Sequence, residues 1–298
     1  MVLSRNDRGC IVRFASWVLL AVLTVVVGCG GGLDTTPKSV SLAYKDMGGE
    51  YVQYKSSTSI IYNVEGRVQS ALHDIIYSVK VDSIAPDGAI DRRLKFDEFV
   101  MGELAGGRLE LDPNASKYKG ENLYLKLGPE GQLLDWKGLD GIRGYTISDQ
   151  SLKDDIVQMM VEFFQPLGKE EVTVGSTWQR FIEIPVKRRG GEITQKATIS
   201  YTVEGFGTKG DRPCVKIKTK VQLSGEGSGE ISDGKKFWVE AEGKGEGELW
   251  FDYVDGLPVE SSGTATITSD FSYERSGKED VTSEYATIDV ESKMKLVK

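Results

Sequence analysis

A mainly β fold is predicted, as one large antiparallel and strongly twisted sheet or half-barrel. Three observations predict it. Most of the chain beyond residue 40 alternates apolar and polar residues between Gly, Pro and Asp turn signals. Residues 215–251 read as a single long hairpin. Two β-rich portions, 44–138 and 172–298, repeat each other's spacing on either side of one helical segment.

The chain opens differently. Arg5, Arg8 and Arg13 precede Phe14–Val27, an uncharged and mostly apolar run of 14 residues, too short for a comfortable membrane span. Val26-Val27-Gly28-Cys29 follows and resembles the lipobox of bacterial lipoproteins. The resemblance implies that residues 1–28 are a signal peptide and that the Cys29 thiol is acylated. Three acyl chains, usual where this motif occurs, would hold the protein firmly on a membrane. Residues 29–39, with Gly30-Gly31-Gly32, form a flexible tether. Gly30 replaces the Asp that retains lipoproteins at the inner membrane in some bacteria, so a two-membrane host would place the chain at the outer membrane or cell surface.

Within 40–140 the clearest strands are Tyr51–Tyr62, Ala71–Val81 and Ala89–Val100, with turns at Pro86-Asp87-Gly88 and Pro129-Glu130-Gly131. A linking helix is expected over about 148–165. Leu152, Ile156, Met159, Met160, Phe163 and Phe164 recur at helical spacing, Ser148 or Ser151 can cap it, and Pro166 and Gly168 end it. The two β halves then match at an offset of 124, Tyr54 with Trp178, Gly66 with Gly190, Tyr77 with Tyr201 and Val79 with Val203, and at 125 for Gly131 with Gly256.

For the hairpin, a two-residue Asp233-Gly234 turn would set Lys244 and Glu246 among Val221 and Leu223. A three-residue loop, Ser232-Asp233-Gly234, shifts the register by one. Val215 then faces Phe251, Ile217 faces Leu249 and Gly229 faces Phe237, while Lys218 meets Glu248 and Lys220 meets Glu246. Only Glu226 opposite Glu240 objects. This register aligns Gly243, Gly245 and Gly247 on the apolar face, and three successive inward glycines leave volume to fill. The helix is the expected occupant. A tight helix-on-sheet contact and a ligand-lined gap both remain open, the latter with Met159, Met160, Phe163, Phe164, Gly243, Gly245 and Gly247 facing the ligand.

Chemistry is scarce. The single histidine, His73, shares a strand face with Ile75, Tyr77 and Val79, so no triad or multi-histidine zinc site can be assembled within the chain. Cys214, left without a partner, reads as a small core residue. Gly205-Phe206-Gly207-Thr208-Lys209-Gly210 matches a phosphate-loop spacing, but Pro213 and an alternating strand follow it instead of a helix. Glu240, Glu242, Glu246 and Glu248 alternate along a strand, about 6.6–6.8 Å apart, which does not converge on one cation. No catalytic residue, metal site or cofactor is expected. Without residues 1–28 the chain carries 34 basic and 44 acidic side chains, a net charge of −10, which disfavours nucleic acid as a partner.

A lipobox, a large antiparallel sheet and an amphipathic helix over its concave side resemble the LolA/LolB-type lipoprotein-carrier fold. The stretch from Pro166-Leu167-Gly168 to Gly175-Ser176-Thr177-Trp178 is similar to the joint of bacterial surface lipoproteins with repeated β halves. The first resemblance implies a non-enzymatic, membrane-anchored protein holding a lipid or acyl chain between helix and sheet. The alternative is a structural envelope lipoprotein with a filled core that docks another protein.

Overall fold

The computed structural model describes residues 37–45, 48–105, 108–112, 115–128, 133–140, 156–157, 160, 167, 171–188, 191–230, 236–274 and 281–297. The first meander comprises β2 (Val52–Val64), β3 (Arg67–Ile84), β4 (Ile90–Ala105), β5 (Arg108–Leu111), β6 (Asn122–Leu127) and β7 (Leu133–Gly138), with a 3₁₀ turn at Ala115–Tyr118. The second comprises β9 (Thr177–Arg188), β10 (Gly191–Lys209), β11 (Arg212–Glu230), β12 (Lys236–Asp252), β13 (Leu257–Glu274) and β14 (Val281–Leu296). Two short strands, β1 (Val40–Ser41) and β8 (Glu171–Val172), pair with each other.

All long strands belong to one antiparallel sheet in the order β7-β6-β4-β3-β2-β14-β13-β12-β11-β10-β9, with β5 added on β4. The meanders meet where β2 pairs with β14. Strands β7 and β9 stay as edges, so the sheet is open. The predicted strands and the Pro86-Asp87-Gly88 turn are present, the latter closed by Gly88 N–H donating to Ala85 O and Ala89 N–H to Asp87 Oδ1. The aromatic pairs matched between the halves sit alike: Tyr54 stacks on Tyr77 across β2 and β3, and Trp178 on Tyr201 across β9 and β10.

The β11–β12 ladder has the register selected by charge and hydrophobicity, from Val215 opposite Phe251 to Glu230 opposite Lys236, Glu226 opposite Glu240 included. Its loop, 232–234, lies outside the described residues. The Gly205–Gly210 stretch runs along β10 into a β-turn and on into β11, as its context predicts.

The sheet curls. The Tyr44 ring lies 4.2 Å from the Arg92 guanidinium of β4 and 5.6 Å from the Phe251 ring of β12. Those strands stand five ladder steps apart, about 24 Å in a flat sheet. One group of packed apolar side chains likewise runs from Ala71 of β3 through Ile60, Val290, Ile267 and Ala241 to Ala197 of β10. Register shifts at Val203/Gly205, Ile76/Tyr77, Val81/Ser83 and Trp250/Phe251 add local twist.

The linking helix is not borne out as an element. Of 148–165 only Ile156, Val157 and Met160 are described; they carry helical backbone and are buried against β2, β3, β4 and β6, beside Tyr54, Ile75, Leu94 and Leu123. The expected helix over Gly243 and Gly245 gives way to a different cause for these glycines. A Cβ at Gly243 would lie 2.7 Å from Ile267 Cγ1, and one at Gly245 would lie 2.8 Å from Thr264 O. Both obstacles belong to the neighbouring strand β13. Curling presses inward-facing groups of adjacent strands together, and glycine relieves that crowding within the sheet itself.

Candidate functional site

Alternation gives the sheet two unlike faces. On the outer face Lys220, Glu226, Glu240, Glu242, Lys244, Glu246, Asp289, Glu291 and Lys293 are exposed. A single Lys or Arg on the lipid-facing midplane of a membrane barrel costs roughly 2–4 kcal/mol, so this face meets water. Among the described residues no helix is long and apolar enough to cross a membrane. Lys216, held below the usual exposure of lysine, bridges Glu248 at 2.7 Å and Glu204 at 2.9 Å. Glu248 thus pairs diagonally with Lys216, one pair over from Lys218 directly opposite.

The concave face has three levels. At one end of the strands, small and branched apolar residues pack together: Ile60, Tyr62, Val221, Leu223, Ala265, Ile288 and Val290. Toward the other end the filling is aromatic, with Tyr54, Tyr77, Phe96, Phe99 and Tyr118 on the first meander and Tyr201, Phe206 and Phe251 on the second. Segment 40–45 lies between them. Val40 and Leu42 are buried beside Val172 and Leu167, and Lys45 Nζ donates to Val254 O at 2.7 Å. Arg92 is only 2 % exposed. Burial pushes its pKa down and that of Tyr44 up, and the pair's mutual attraction opposes both shifts.

Between these levels small residues gather on the central strands, among larger ones. A cross-strand row runs Tyr201, Thr219, Gly247, Gly263, Ser292, Thr58, His73. The next row toward the aromatic level includes Leu249, Ser261, Met294, Ser56 and Ile75. Thr219, Ser292, Thr58, Ser261 and Ser56 are all buried. His73 is half-buried, and desolvation lowers its pKa to about 4, so its ring is uncharged at neutral pH.

The predicted site residues separate. Met160 belongs to the aromatic level of the first meander. Gly243, Gly245 and Gly247 lie on β12, with Gly247 in the middle row. Cys29, Met159, Phe163 and Phe164 lie outside the described residues. Sequence reasoning missed Tyr44, Arg92 and the hydroxyl row. Its one available signal was the Ser and Thr at alternating inward positions 56, 58, 261 and 292.

A polar groove of about 600 Å³ lies at the turn end, lined by Lys209, Arg212, Asp252, Asp255, Glu260 and Lys295 among others. Five of its charged groups pair with one another. Arg212 bridges Asp252 and Asp255, Lys209 bridges Glu260, and Asp252 Oδ1 accepts from the N–H groups of Val254 and Asp255. That network shapes the β12–β13 turn.

No protein-family model matches the chain, and no curated protein matches it. Among solved structures it is similar to the hypothetical lipoprotein YmcC of Escherichia coli, at 12 % identity over 80 % of this chain and 85 % of that one, with a TM-score of 0.22. It is also similar to a putative exported protein with a YmcC-like fold from Bacteroides fragilis, at 8 % identity over 87 % and 97 %, TM-score 0.22. The β domain of the Bordetella autotransporter BrkA follows at 10 % identity over 82 % and 98 %, TM-score 0.19. Scores this low carry no statement about relationship or activity.

Proposed function

We propose that the chain is an envelope lipoprotein, anchored by lipid on Cys29, that holds a hydrophobic ligand in its concave interior and catalyses no reaction. The observation that carries this reading is the contrast of faces. A charged outer face surrounds an apolar interior in which one middle row, Thr219, Gly247, Gly263, Ser292 and Thr58, contains little bulk. Burial raises the pKa of the Cys214 thiol and leaves no reactive sulfur there, which supports binding over catalysis. The lipobox supports anchorage, and Gly30 supports the outer membrane or cell surface in a two-membrane host.

Native mass spectrometry of the full chain, purified from bacterial membranes and held in amphipol, tests the reading. A co-purified lipid mass beyond the acyl groups on Cys29 is expected, released by a competing acyl probe. Absence of that mass, with no uptake of a fluorescent lipid, overturns carriage.

The second reading, an interaction lipoprotein with a filled core, is favoured by the open edge. Among the described residues strand β9 has no neighbour beyond it, and its outward Phe181 is 75 % exposed. An edge of this kind can accept a partner strand.

A further inference from the structure

We infer that the middle rows of the concave face form a subsite for the uncharged glycerol-ester portion of a lipid, with Thr219 and Ser261 as its first hydrogen-bond partners. The inference deepens the carrier reading and rests on it.

Two hydroxyls point to it. Thr219 is 3 % exposed and Ser261 2 %, and the oxygen of each side chain is fully enclosed without a hydrogen-bond partner. A buried hydroxyl in that condition costs roughly 1–3 kcal/mol, so a fold that keeps two of them calls for a further partner. Both side chains stand on the concave side: Thr219 by the burial alternation of β11, and Ser261 by its ladder place opposite Leu249 and Met294, in step with the inward Ala265 and Ile267. Gly247 and Gly263 lie between them in the ladder, and Ser292, Thr58 and Ser56 continue the same floor.

Spacing restricts the ligand. The two residues are two strands and two positions apart, on the order of 10–12 Å between backbones. One isolated carbonyl cannot serve both hydroxyls. A glycerol ester, with an ester carbonyl and free hydroxyls in line, can.

Charge restricts it further. Along these two rows the inward residues are Trp178, Tyr201, Thr219, Gly247, Gly263, Ser292, Thr58, His73 and Met101, then Val203, Ile217, Leu249, Ser261, Met294, Ser56, Ile75 and Phe99. None is acidic or basic beyond His73, which is neutral. At Thr219 and Ser261 a free fatty-acid carboxylate would be desolvated with no cation in either row, the inward Arg180 standing one row away at the β9 edge, whereas an ester loses little. Apolar rows on both sides, Val221 to Ile60 and Val215 to Tyr54, suit the acyl chain.

The test uses the full chain in amphipol and two probes with the same pyrene-labelled acyl chain, one a monoacylglycerol and one the free acid. The glycerol ester is expected to bind at least tenfold more tightly at pH 7.5. Thr219→Val with Ser261→Ala should weaken the ester about tenfold and leave the acid unchanged, while Thr219→Ser, which keeps a hydroxyl, should bind like the parent. Thermal melting of each variant reports folding, and the single substitution Thr219→Val replaces the pair if the double variant melts early. Equal ester binding by the variants, or preference for the acid, overturns the subsite and leaves the carrier reading standing. Failure of the parent chain to bind either probe overturns both.

Discussion

His73 couples the interior to pH. Its folded-state pKa is near 4 because the charged ring would be desolvated, against about 6.5 for an unfolded chain. Between those values the unfolded state binds more protons. Stability from this group is therefore complete above about pH 6.5 and is lost as pH falls toward 4, by about 3 kcal/mol at most. Urea unfolding at pH 7.5 and pH 5.0 checks the sign: the parent should lose more stability over that interval than His73→Gln. Parallel losses would mean that the ring titrates normally. A second residue-scale expectation concerns Cys214. Burial pushes its thiol up to about 12, and it packs beside Trp250, Leu257 and Val259. It should resist an aromatic disulfide reagent at pH 8 in the folded protein and react at once in denaturant. Prompt labelling of the folded chain would place the thiol at the surface.

At the scale of elements, segment 40–45 bridges the two meanders across the concave side, in addition to the β2–β14 ladder. Gly256, at φ +69°, permits it to pass: a Cβ there would lie 2.6 Å from both Ala43 O and Lys45 N. Gly256→Ala is expected to displace the segment, costing roughly 1–3 kcal/mol, and to speed tryptic cleavage after Lys45. An unchanged cleavage rate would show that the segment does not depend on this contact. Tyr44→Ala removes the ring between Arg92 and Phe251 and should cost about 2–4 kcal/mol in urea unfolding, as large-to-small core changes do. The long β11–β12 hairpin was legible in advance because both its faces carry information, apolar on one and complementary charge on the other. The fate of Gly243 and Gly245 was not, because the group that crowds them sits on β13, out of reach of any local pattern.

For the whole molecule, the charged outer face leaves membrane attachment to the lipid proposed on Cys29. If the lipobox reading holds, the strands meet water while Cys29 carries the membrane attachment. Metabolic labelling with an alkyne fatty acid should mark the parent chain and not Cys29→Ser, and incorporation into the variant would remove the lipobox reading.

By itself, the sequence determined the β content, the hairpin register with its two faces, and the expectation of a lipid address at Cys29. These are local or paired properties, written in periods of two and in short motifs. Only the tertiary structure decided that the sheet stays open between β7 and β9, that it curls until β4 and β12 share Tyr44, and that scattered serines and threonines from strands far apart in sequence line one floor. Curvature accumulates from small twists and bulges over many strands, and no single stretch of residues encodes the sum.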